Sequence, residues 1–446
     1  MENPRQTAVE ALCNLHRQDG YSNLVLGRTM DKCGLSARDK TLAAALFYGV
    51  LERQITVDYI LEKFLNQKIS RLPLEVAEIL RTGLYQLYFM QKIPAAAAVD
   101  EAVKLSKTMG QHTHAALING VLRTADRERK NLRYPDEKNA PLRFLEVKYS
   151  CPTELISLWQ ESYGKTNTEG FLKSALGRPP LTVRVNTTKT TPEELIEKLS
   201  QEGIQAERLL LLANALVLTD TAAIDRTAAY RAGLFHVQDL ASQLCCELLD
   251  PQPGETIYDI CAAPGGKSFT LAEKMGNTGT LLAFDMYDQK VTILSEGAKR
   301  LGLSCITAQK RDALRDDQKL PFADRILCDL PCSGLGAIRR KPEIRYKSLS
   351  AFDDLPALQL SILERTAPLL KKGGRLVYST CTLHPRENGD VVRAFLKAHP
   401  DYEAEPIQCL GGLERAIEEP AGEWTFFPHV HGTDGFFMAS FRKREG

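Results

Sequence analysis

The sequence lacks the features of a membrane protein, of a secreted disulfide-bonded protein and of a zinc protein. No apolar run in its 446 residues reaches the roughly 18 residues that a membrane-spanning helix needs. Residues 1–10 are polar, so we expect neither a membrane span nor export. The 11 cysteines include no CxxC pair, which argues against a metal site. In a chain of this length they favour reduced thiols in a cytoplasmic protein.

Net charge is also nearly absent, because the total at pH 7 is +1. The distribution is uneven: residues 1–135 hold 19 Lys and Arg against 14 Asp and Glu, a net +5, which leaves −4 for the remainder. A basic N-terminal third is compatible with binding to a polyanion, although a solvated helical surface can carry the same excess. Charge alone therefore does not identify the partner.

The chain length predicts two or three domains, and the hydrophobic pattern changes along the chain. Up to about residue 130, apolar residues recur at three-to-four spacing, which predicts helices. The polar stretch at 127–140 predicts a linker. A strand at 181–186, a capping signal from Thr191 to Glu194 and a strand at 215–218 then predict a small α+β module.

From about residue 236 strands alternate with helices, which predicts a mostly parallel sheet covered on both faces. The expected strands lie at 256–260, 279–284, 306–309, 325–328, 375–378 and 436–441. Ligands of such sheets bind beyond the carboxyl ends of the strands. The residues that follow each strand are therefore the candidates for a functional site.

The first of these strands runs into a glycine-containing turn at 259–267, with the sequence DICAAPGGK. Small residues let its backbone approach a ligand closely, and the next helix offers free N–H groups. A Walker P-loop would need glycine in place of Cys261, and the GxGxxG fingerprint is absent from this turn. Asp285 ends the second strand and Asp312 follows the third, where carboxylates could bind ribose and adenine groups. The combination predicts a nucleoside cofactor.

Two cysteines follow later strands, Cys332 in DLPCSG and Cys381 in YSTCT. A cysteine thiolate can add to carbon 6 of cytosine, which makes carbon 5 nucleophilic toward an electrophilic methyl group. Proton loss at carbon 5 and expulsion of the thiolate then restore the ring. The pattern does not rank the two cysteines. Four others are expected to be small buried hydrophobes: Cys13, Cys245, Cys305 and Cys328.

Together these segments resemble the cytosine-5 RNA methyltransferases of the Sun/Nop2 family. The likeness rests on DICAAPGGK at 259–267, DLPCSG at 329–334 and YSTCT at 378–382, with RVN at 184–186 and HVQDLASQ at 236–243 upstream. Leu330 stands where alanine is common in the second motif. This departure leaves the polar atoms of the motif unchanged.

The N-terminal helices resemble a NusB-like RNA-binding domain, through Asp100–Lys107 and Ile118–Arg123. The resemblance implies a multidomain chain in three parts. An all-α NusB-like domain would occupy 1–135 and a small α+β RNA-positioning module 145–235. An α/β, Rossmann-like class I methyltransferase domain would occupy 236–446.

The resemblance also implies roles for the site residues. Cys381 would be the nucleophile and Cys332 would assist release of the product, whereas DNA cytosine-5 methyltransferases resemble a design that uses the Pro-Cys cysteine for attack. The cofactor would be S-adenosyl-L-methionine, and Asp329 would lie where it meets the target base. The cofactor-binding residues would be Cys261, Ala262, Ala263, Pro264, Gly265, Gly266, Lys267, Asp285, Asp312 and Asp329.

The implied substrate is a specific cytosine of 16S ribosomal RNA, as naked or early-assembly RNA, and the implied enzyme is a monomer without a metal. Transfer RNA or DNA as substrate, and a catalytically idle RNA-binding or antitermination factor, remain alternatives. The segment Ile338–Lys347 has five basic residues around Tyr346. We expect it to contact phosphates and stack a base near the active site, with a solvated loop as the alternative.

Overall fold

The computed structural model describes residues 3–18, 20–219, 224–315, 320–410 and 412–445. The chain divides into two units, one formed by residues 1–177 with 338–349 and the other by 178–337 with 350–446. Across the described ranges, no helix combines the length and apolar character needed to cross a membrane.

The first unit is helical, as its three-to-four periodicity predicts. Its apolar stripes meet in a core that includes Leu80, Leu84 and Leu122, because a helix buries the face on which such residues recur. Single-turn 3-10 helices lie at Ile69–Arg71, His112–His114, Arg129–Asn131 and Pro342–Tyr346. The α-helices are α1 (Pro4–Gln18), α2 (Ser22–Asp31), α3 (Ala37–Leu61), α4 (Leu74–Phe89), α5 (Ala95–Thr108), α6 (Ala115–Arg127), α7 (Pro141–Tyr149) and α8 (Thr153–Ser174).

The segment 338–349 packs within this helical unit. The guanidinium of Arg345 is buried, with 1% of the residue exposed, and it donates to main-chain carbonyls of Glu52, Tyr149, Ser150, Ala175 and Ile338. The Tyr346 hydroxyl donates to the Leu51 carbonyl at 2.6 Å. The expectation of a phosphate contact is therefore wrong for Arg345, because its guanidinium is used inside the protein. For the other basic residues of 338–347, and for base stacking on Tyr346, RNA contact stays a prediction.

Residues 181–237 form the predicted α+β module, with an antiparallel sheet of order β2-β3-β1-β4. Thr191 and Glu194 make the predicted capping box at the start of α9. The strands pack over a small apolar core with α9. The elements are β1 (Leu181–Val185), α9 (Pro192–Gln201), β2 (Gln205–Arg208), β3 (Ala215–Thr219), a 3-10 turn (Ile224–Arg226), α10 (Ala228–Arg231) and β4 (Phe235–Val237).

The remaining strands form a mixed sheet of eight strands, with order β10-β12-β9-β8-β5-β6-β7 and β11 paired to β12. All six predicted strands are present, and five of them are parallel; β12 runs antiparallel to β9. The strands are β5 (Thr256–Asp259), β6 (Thr280–Asp285), β7 (Ile306–Lys310), β8 (Ala323–Asp329), β9 (Leu370–Thr380), β10 (Tyr402–Ala404), β11 (Glu423–Phe426) and β12 (Phe436–Lys443).

Two apolar cores cover the two faces of this sheet, as predicted. Successive residues of a strand point to opposite faces, so Leu327 joins the core with α11 and α12 while Ile326 and Cys328 join the core with α14 and α15. Short 3-10 segments lie at Leu349–Phe352, Ala367–Leu369 and Pro385–Glu387. The helices are α11 (Leu240–Leu249), α12 (Gly266–Lys274), α13 (Asp288–Leu301), α14 (Leu355–Thr366), α15 (Gly389–Ala398) and α16 (Pro428–His431).

Candidate active site

The two cysteines that follow strands β8 and β9 lie side by side. These strands pair in parallel with Asp329 opposite Ser379, so the loops after them leave the same edge of the sheet. The Sγ atoms of Cys332 and Cys381 are 3.3 Å apart, and both residues are half-buried. The sequence predicts two cysteines at strand ends, and the parallel pairing brings their sulfur atoms into contact.

The surroundings of Cys332 keep its thiol protonated. The hydrogen bond with Cys381 and burial raise the pKa of Cys332 well above its ordinary value, and the nearby carboxylates of Glu387 and Asp329 act in the same direction. A carboxylate disfavours a second negative charge close by. A proton is thus held on one sulfur next to the other.

An ion pair connects the glycine-containing turn to the Pro-Cys loop. Lys267 Nζ donates to Asp329 Oδ2 at 2.7 Å, and Ser379 Oγ donates to Asp329 Oδ1 at 2.8 Å. Burial lowers the pKa of Lys267, but the adjacent Asp329 outweighs it and the net shift is upward. Lys267 therefore stays charged, and the ion pair lies beside the strand ends that carry the cysteines.

The turn at 259–267 is held close to the ends of β5 and β6. Ala262 N–H donates to the Phe284 carbonyl at 2.8 Å, and Gly265 N–H donates back to the Ala262 carbonyl at 2.8 Å. Gly265 has φ +109°, and a Cβ there would lie 2.4 Å from Phe269 Cζ. Cys261, Ala263 and Gly266 are half-buried, and Pro264 is exposed. Only glycine suits position 265, because a side chain there would meet the Phe269 ring and L residues rarely adopt this φ.

Asp259 lies beneath this turn with one oxygen unused. Its Oδ2 accepts from Ser268 Oγ at 2.6 Å, whereas its buried Oδ1 has no hydrogen-bond partner among the described residues. Burial raises the pKa of Asp259 to about 7. A buried carboxyl oxygen without a hydrogen-bond partner can be satisfied by a polar group of a ligand.

Asp285 and Asp312 lie at neighbouring strand ends. Asp285 Oδ1 accepts from Tyr287 N at 3.2 Å, and Asp312 Oδ1 accepts from Leu314 N at 3.0 Å. The Arg311 amide donates to the Asp285 carbonyl at 3.0 Å, which ties the two segments together. Three apolar side chains beside these carboxylates are exposed, Met286 at 49%, Tyr287 at 54% and Leu314 at 39%. Carboxylates flanked by exposed apolar groups suit a ribose and a flat base.

The donor set fits a nucleoside cofactor better than a metal. The free N–H groups of α12, the unused oxygen of Asp259 and the carboxylates of Asp285 and Asp312 offer what an amino-acid group and a ribose require. In the described ranges, no group of three or more His, Cys, Asp and Glu side chains could hold a metal ion. The predicted cofactor residues follow the carboxyl ends of β5, β6, β7 and β8. Because these strands and β9 are parallel, those residues lie at the same sheet edge as the cysteines.

The other cysteines behave largely as expected. Cys13, Cys245 and Cys328 are buried, and burial raises the pKa of Cys13 and of Cys245 to about 12. Cys305 is half-buried against the same core as Cys245. All four cysteines pack against apolar cores, as small hydrophobic side chains do.

Three polar residues behind the two cysteine loops were not predicted from the sequence: Gln359, Glu387 and Asn388. All three are buried and bonded to the loops. The sequence feature that could have indicated them is the pair Glu387 and Asn388, which follows Cys381 by six and seven residues. Gln359 gave no signal, because a glutamine in a helix is ordinarily an exposed residue.

Three family models match the chain in consecutive stretches. The NusB family matches residues 2–127, the ferredoxin-like domain of RsmF/B-like methyltransferases matches 151–225, and the 16S rRNA methyltransferase RsmB/F model matches 246–442. The order is the one that the sequence analysis expects: helical, α+β and methyltransferase.

Similarity to individual proteins extends over the whole chain. The probable ribosomal RNA small subunit methyltransferase B of Bacillus subtilis (strain 168) is 39% identical over 449 residues, with 99% of this chain and 98% of the relative covered. The ribosomal RNA small subunit methyltransferase B of Pseudomonas syringae pv. tomato is 31% identical, with 99% and 97% covered. The crystal structure of PH0851 matches with a TM-score of 0.83, at 27% identity over 99% of both chains.

Proposed function

Because the chain belongs to the ribosomal RNA small subunit methyltransferase B family, whose members are S-adenosylmethionine-dependent, we propose that it methylates carbon 5 of a cytosine in 16S rRNA through a covalent cysteine–RNA intermediate. The observation that carries this proposal is the 3.3 Å separation of Cys332 Sγ and Cys381 Sγ. Addition to cytosine and later expulsion need one sulfur as nucleophile and a second group that handles a proton beside it.

Cys381 is the proposed nucleophile. Its thiol proton passes to solvent water, and the thiolate Sγ forms a bond to carbon 6 of the cytosine, which makes carbon 5 nucleophilic. With the methyl group on carbon 5, the carbon 5 proton passes to solvent water, the carbon–hydrogen electron pair restores the double bond between carbons 5 and 6, and the carbon–sulfur bond breaks with its electron pair returning to Cys381 Sγ. The raised pKa of Cys332, whose Sγ lies 3.3 Å from Cys381 Sγ, supports the complementary role, because a thiol that stays protonated can donate a hydrogen bond to the departing thiolate.

The proposed cofactor site is the turn from Cys261 to Lys267 with Asp285, Asp312 and Asp329. S-adenosylmethionine, when bound there, supplies an electrophilic methyl group. The carboxylate of Asp285 would accept from ribose hydroxyls, and Asp312 would lie toward the base. The ion pair of Lys267 with Asp329 would orient groups where the cofactor approaches the cytosine.

The substrate of the family is small-subunit ribosomal RNA. We propose that naked or early-assembly RNA is the form modified, that the enzyme acts as a monomer in the cytoplasm, and that the NusB-like region contributes to RNA binding. The domain limits 1–135, 145–235 and 236–446 also remain proposals. Transfer RNA stays as the competing substrate. An idle binding factor is disfavoured because both cysteines and all three cofactor carboxylates are present.

The test is a methyl-transfer assay with labelled S-adenosylmethionine on purified 16S rRNA and on transfer RNA. The parent should form 5-methylcytosine in the ribosomal RNA. Cys381→Ala should form no product, and Cys332→Ala should accumulate a protein–RNA adduct that survives denaturing electrophoresis. Label in transfer RNA alone would refute the substrate, and product formation by Cys381→Ala would refute the assigned nucleophile.

A further inference from the structure

Two consecutive buried residues, Glu387 and Asn388, lie behind the cysteine loops and have no part in the chemistry proposed above. Glu387 is 0% exposed and Asn388 is 3% exposed. They follow Cys381 in the chain, at the end of the 3-10 segment Pro385–Glu387 and the start of α15. Burying a carboxylate or an amide is unfavourable unless its hydrogen bonds are made, so the partners of these groups indicate their purpose.

Glu387 binds the loop that carries Cys332. Its Oε2 accepts from the Ser333 amide at 2.9 Å and from Gln359 Nε2 at 3.0 Å. The same Gln359 nitrogen donates to the Pro331 carbonyl at 2.8 Å. The peptide groups on both sides of Cys332 are thus held, one by Glu387 directly and the other through Gln359.

Asn388 binds the loop that carries Cys381 in the same manner. Its Oδ1 accepts from Thr380 Oγ1 at 2.7 Å, and its Nδ2 donates to the Thr382 carbonyl at 3.0 Å. The residues before and after Cys381 are therefore bonded to one amide side chain. The two loops are also bonded to each other: Ser333 Oγ and Thr382 Oγ1 are 2.7 Å apart, and the Gly336 amide donates to the Cys381 carbonyl at 3.0 Å.

We propose that Glu387 and Asn388 are positioning residues for different steps of the reaction: Asn388 places Cys381 for attack on carbon 6, and Glu387 places Cys332 for release of the adduct. The inference rests on the proposed function. Buried hydrogen bonds fix a loop because each broken bond leaves an unsatisfied group. A displacement of about 1 Å at a reacting group can cost on the order of 100-fold in rate.

The experiment separates the two steps by rapid mixing of the full-length enzyme with 16S rRNA under single-turnover conditions. Adduct formation and adduct decay are followed on denaturing gels. Asn388→Ala should slow adduct formation at least roughly tenfold and leave decay near the parent rate. Glu387→Ala should leave formation near the parent rate, slow decay by a similar factor and accumulate adduct.

The conservative variant Glu387→Gln distinguishes positioning by hydrogen bonds from a need for the charge. Its side-chain carbonyl can still accept from Ser333 and Gln359, so decay should return toward the parent rate. If Glu387→Ala or Asn388→Ala does not fold, two milder variants replace them. Gln359→Leu removes the bonds to Glu387 and to the Pro331 carbonyl on the Cys332 side, and Thr380→Val removes the bond to Asn388 on the Cys381 side. Gln359→Leu should slow decay, and Thr380→Val should slow formation.

Two outcomes would overturn the inference. In the first, the Glu387 and Asn388 variants slow adduct formation and adduct decay alike; in the second, neither rate changes in any of these variants. Cys332→Ala and Cys381→Ala are run in the same experiment as references. If Cys381→Ala still forms an adduct, or Cys332→Ala accumulates none, the proposed function fails. If both references behave as proposed while the Glu387 and Asn388 variants do not separate the steps, the inference alone fails.

Discussion

Asp259 shows how one buried carboxyl can make folding depend on pH. Burial raises its pKa from 3.8 to about 7; the Ser268 hydroxyl opposes this shift, and Asp329 reinforces it. The folded protein therefore keeps a proton on Asp259 at pH values where the unfolded chain has released it. Stability falls as pH rises wherever the folded state binds more protons, so the contribution of Asp259 declines between about pH 4 and pH 7.

Replacing Asp259 with asparagine should remove this dependence. The free energy of unfolding of the parent minus that of Asp259→Asn should fall by up to about 1.4 kcal/mol per pH unit over that window, and level off above it. Denaturant titrations at a series of pH values give the difference directly. A difference that rises with pH would show that the carboxyl is ionised in the folded protein.

Gly265 is constrained by both its backbone angle and its neighbour. Alanine at this position would be strained by the positive φ, and its Cβ would overlap the Phe269 ring. Gly254 has φ +85° but nothing within 4 Å of a Cβ, so Gly254→Ala measures the strain alone.

We expect Gly265→Ala to destabilise the protein more than Gly254→Ala, whose cost should be about 1 kcal/mol. The additional loss of stability in Gly265→Ala, roughly 1–3 kcal/mol, comes from displacing Phe269 or the turn. S-adenosylmethionine affinity, measured by calorimetry, should fall in the first variant and stay unchanged in the second. Equal stabilities and equal affinities would show that the turn relaxes without cost.

At the scale of elements, the 3-10 segment Pro342–Tyr346 illustrates how the same residues can suggest one role and perform another. It lies within the stretch 338–347, whose five basic residues predict an RNA-contacting loop, yet Arg345 donates to five main-chain carbonyls. Carbonyls from α3, from α7 and its cap and from the end of α8 converge there. A guanidinium has five N–H donors in a fixed plane, which suits it to bind several carbonyls at once.

Arg345→Met should therefore destabilise the helical unit by about 2–5 kcal/mol, because buried carbonyls lose their donor. Lys347→Met is the matched control, since Lys347 is exposed and such substitutions usually stay within about 0.5 kcal/mol. Chemical unfolding followed by circular dichroism compares the two. Similar midpoints for both variants would contradict a structural role for Arg345.

At the scale of the whole molecule, the chain crosses between its two units three times, after residues 177, 337 and 349. Helices α7 and α8 group with the N-terminal helices, whereas the four-stranded sheet groups with the methyltransferase sheet. Linear boundaries drawn from a change of composition follow the chain in order. Such boundaries cannot describe residues 338–349, which group with the helical unit although they lie between two stretches of the other unit.

Most helices and strands, and the chemical class of the site, could be predicted from the sequence. Periodicity, capping signals and strand-end motifs are local, so the helical region, the capping box of α9 and all six predicted strands could be read from neighbouring residues. The motifs around Cys332 and Cys381 indicated a family. The tertiary structure was needed to show that the Cys332 and Cys381 sulfur atoms lie side by side, what Arg345 binds, and that Glu387 and Asn388 hold the cysteine loops. Those properties depend on contacts between residues distant in the chain, and burial and hydrogen-bond partners exist only after the strands have paired.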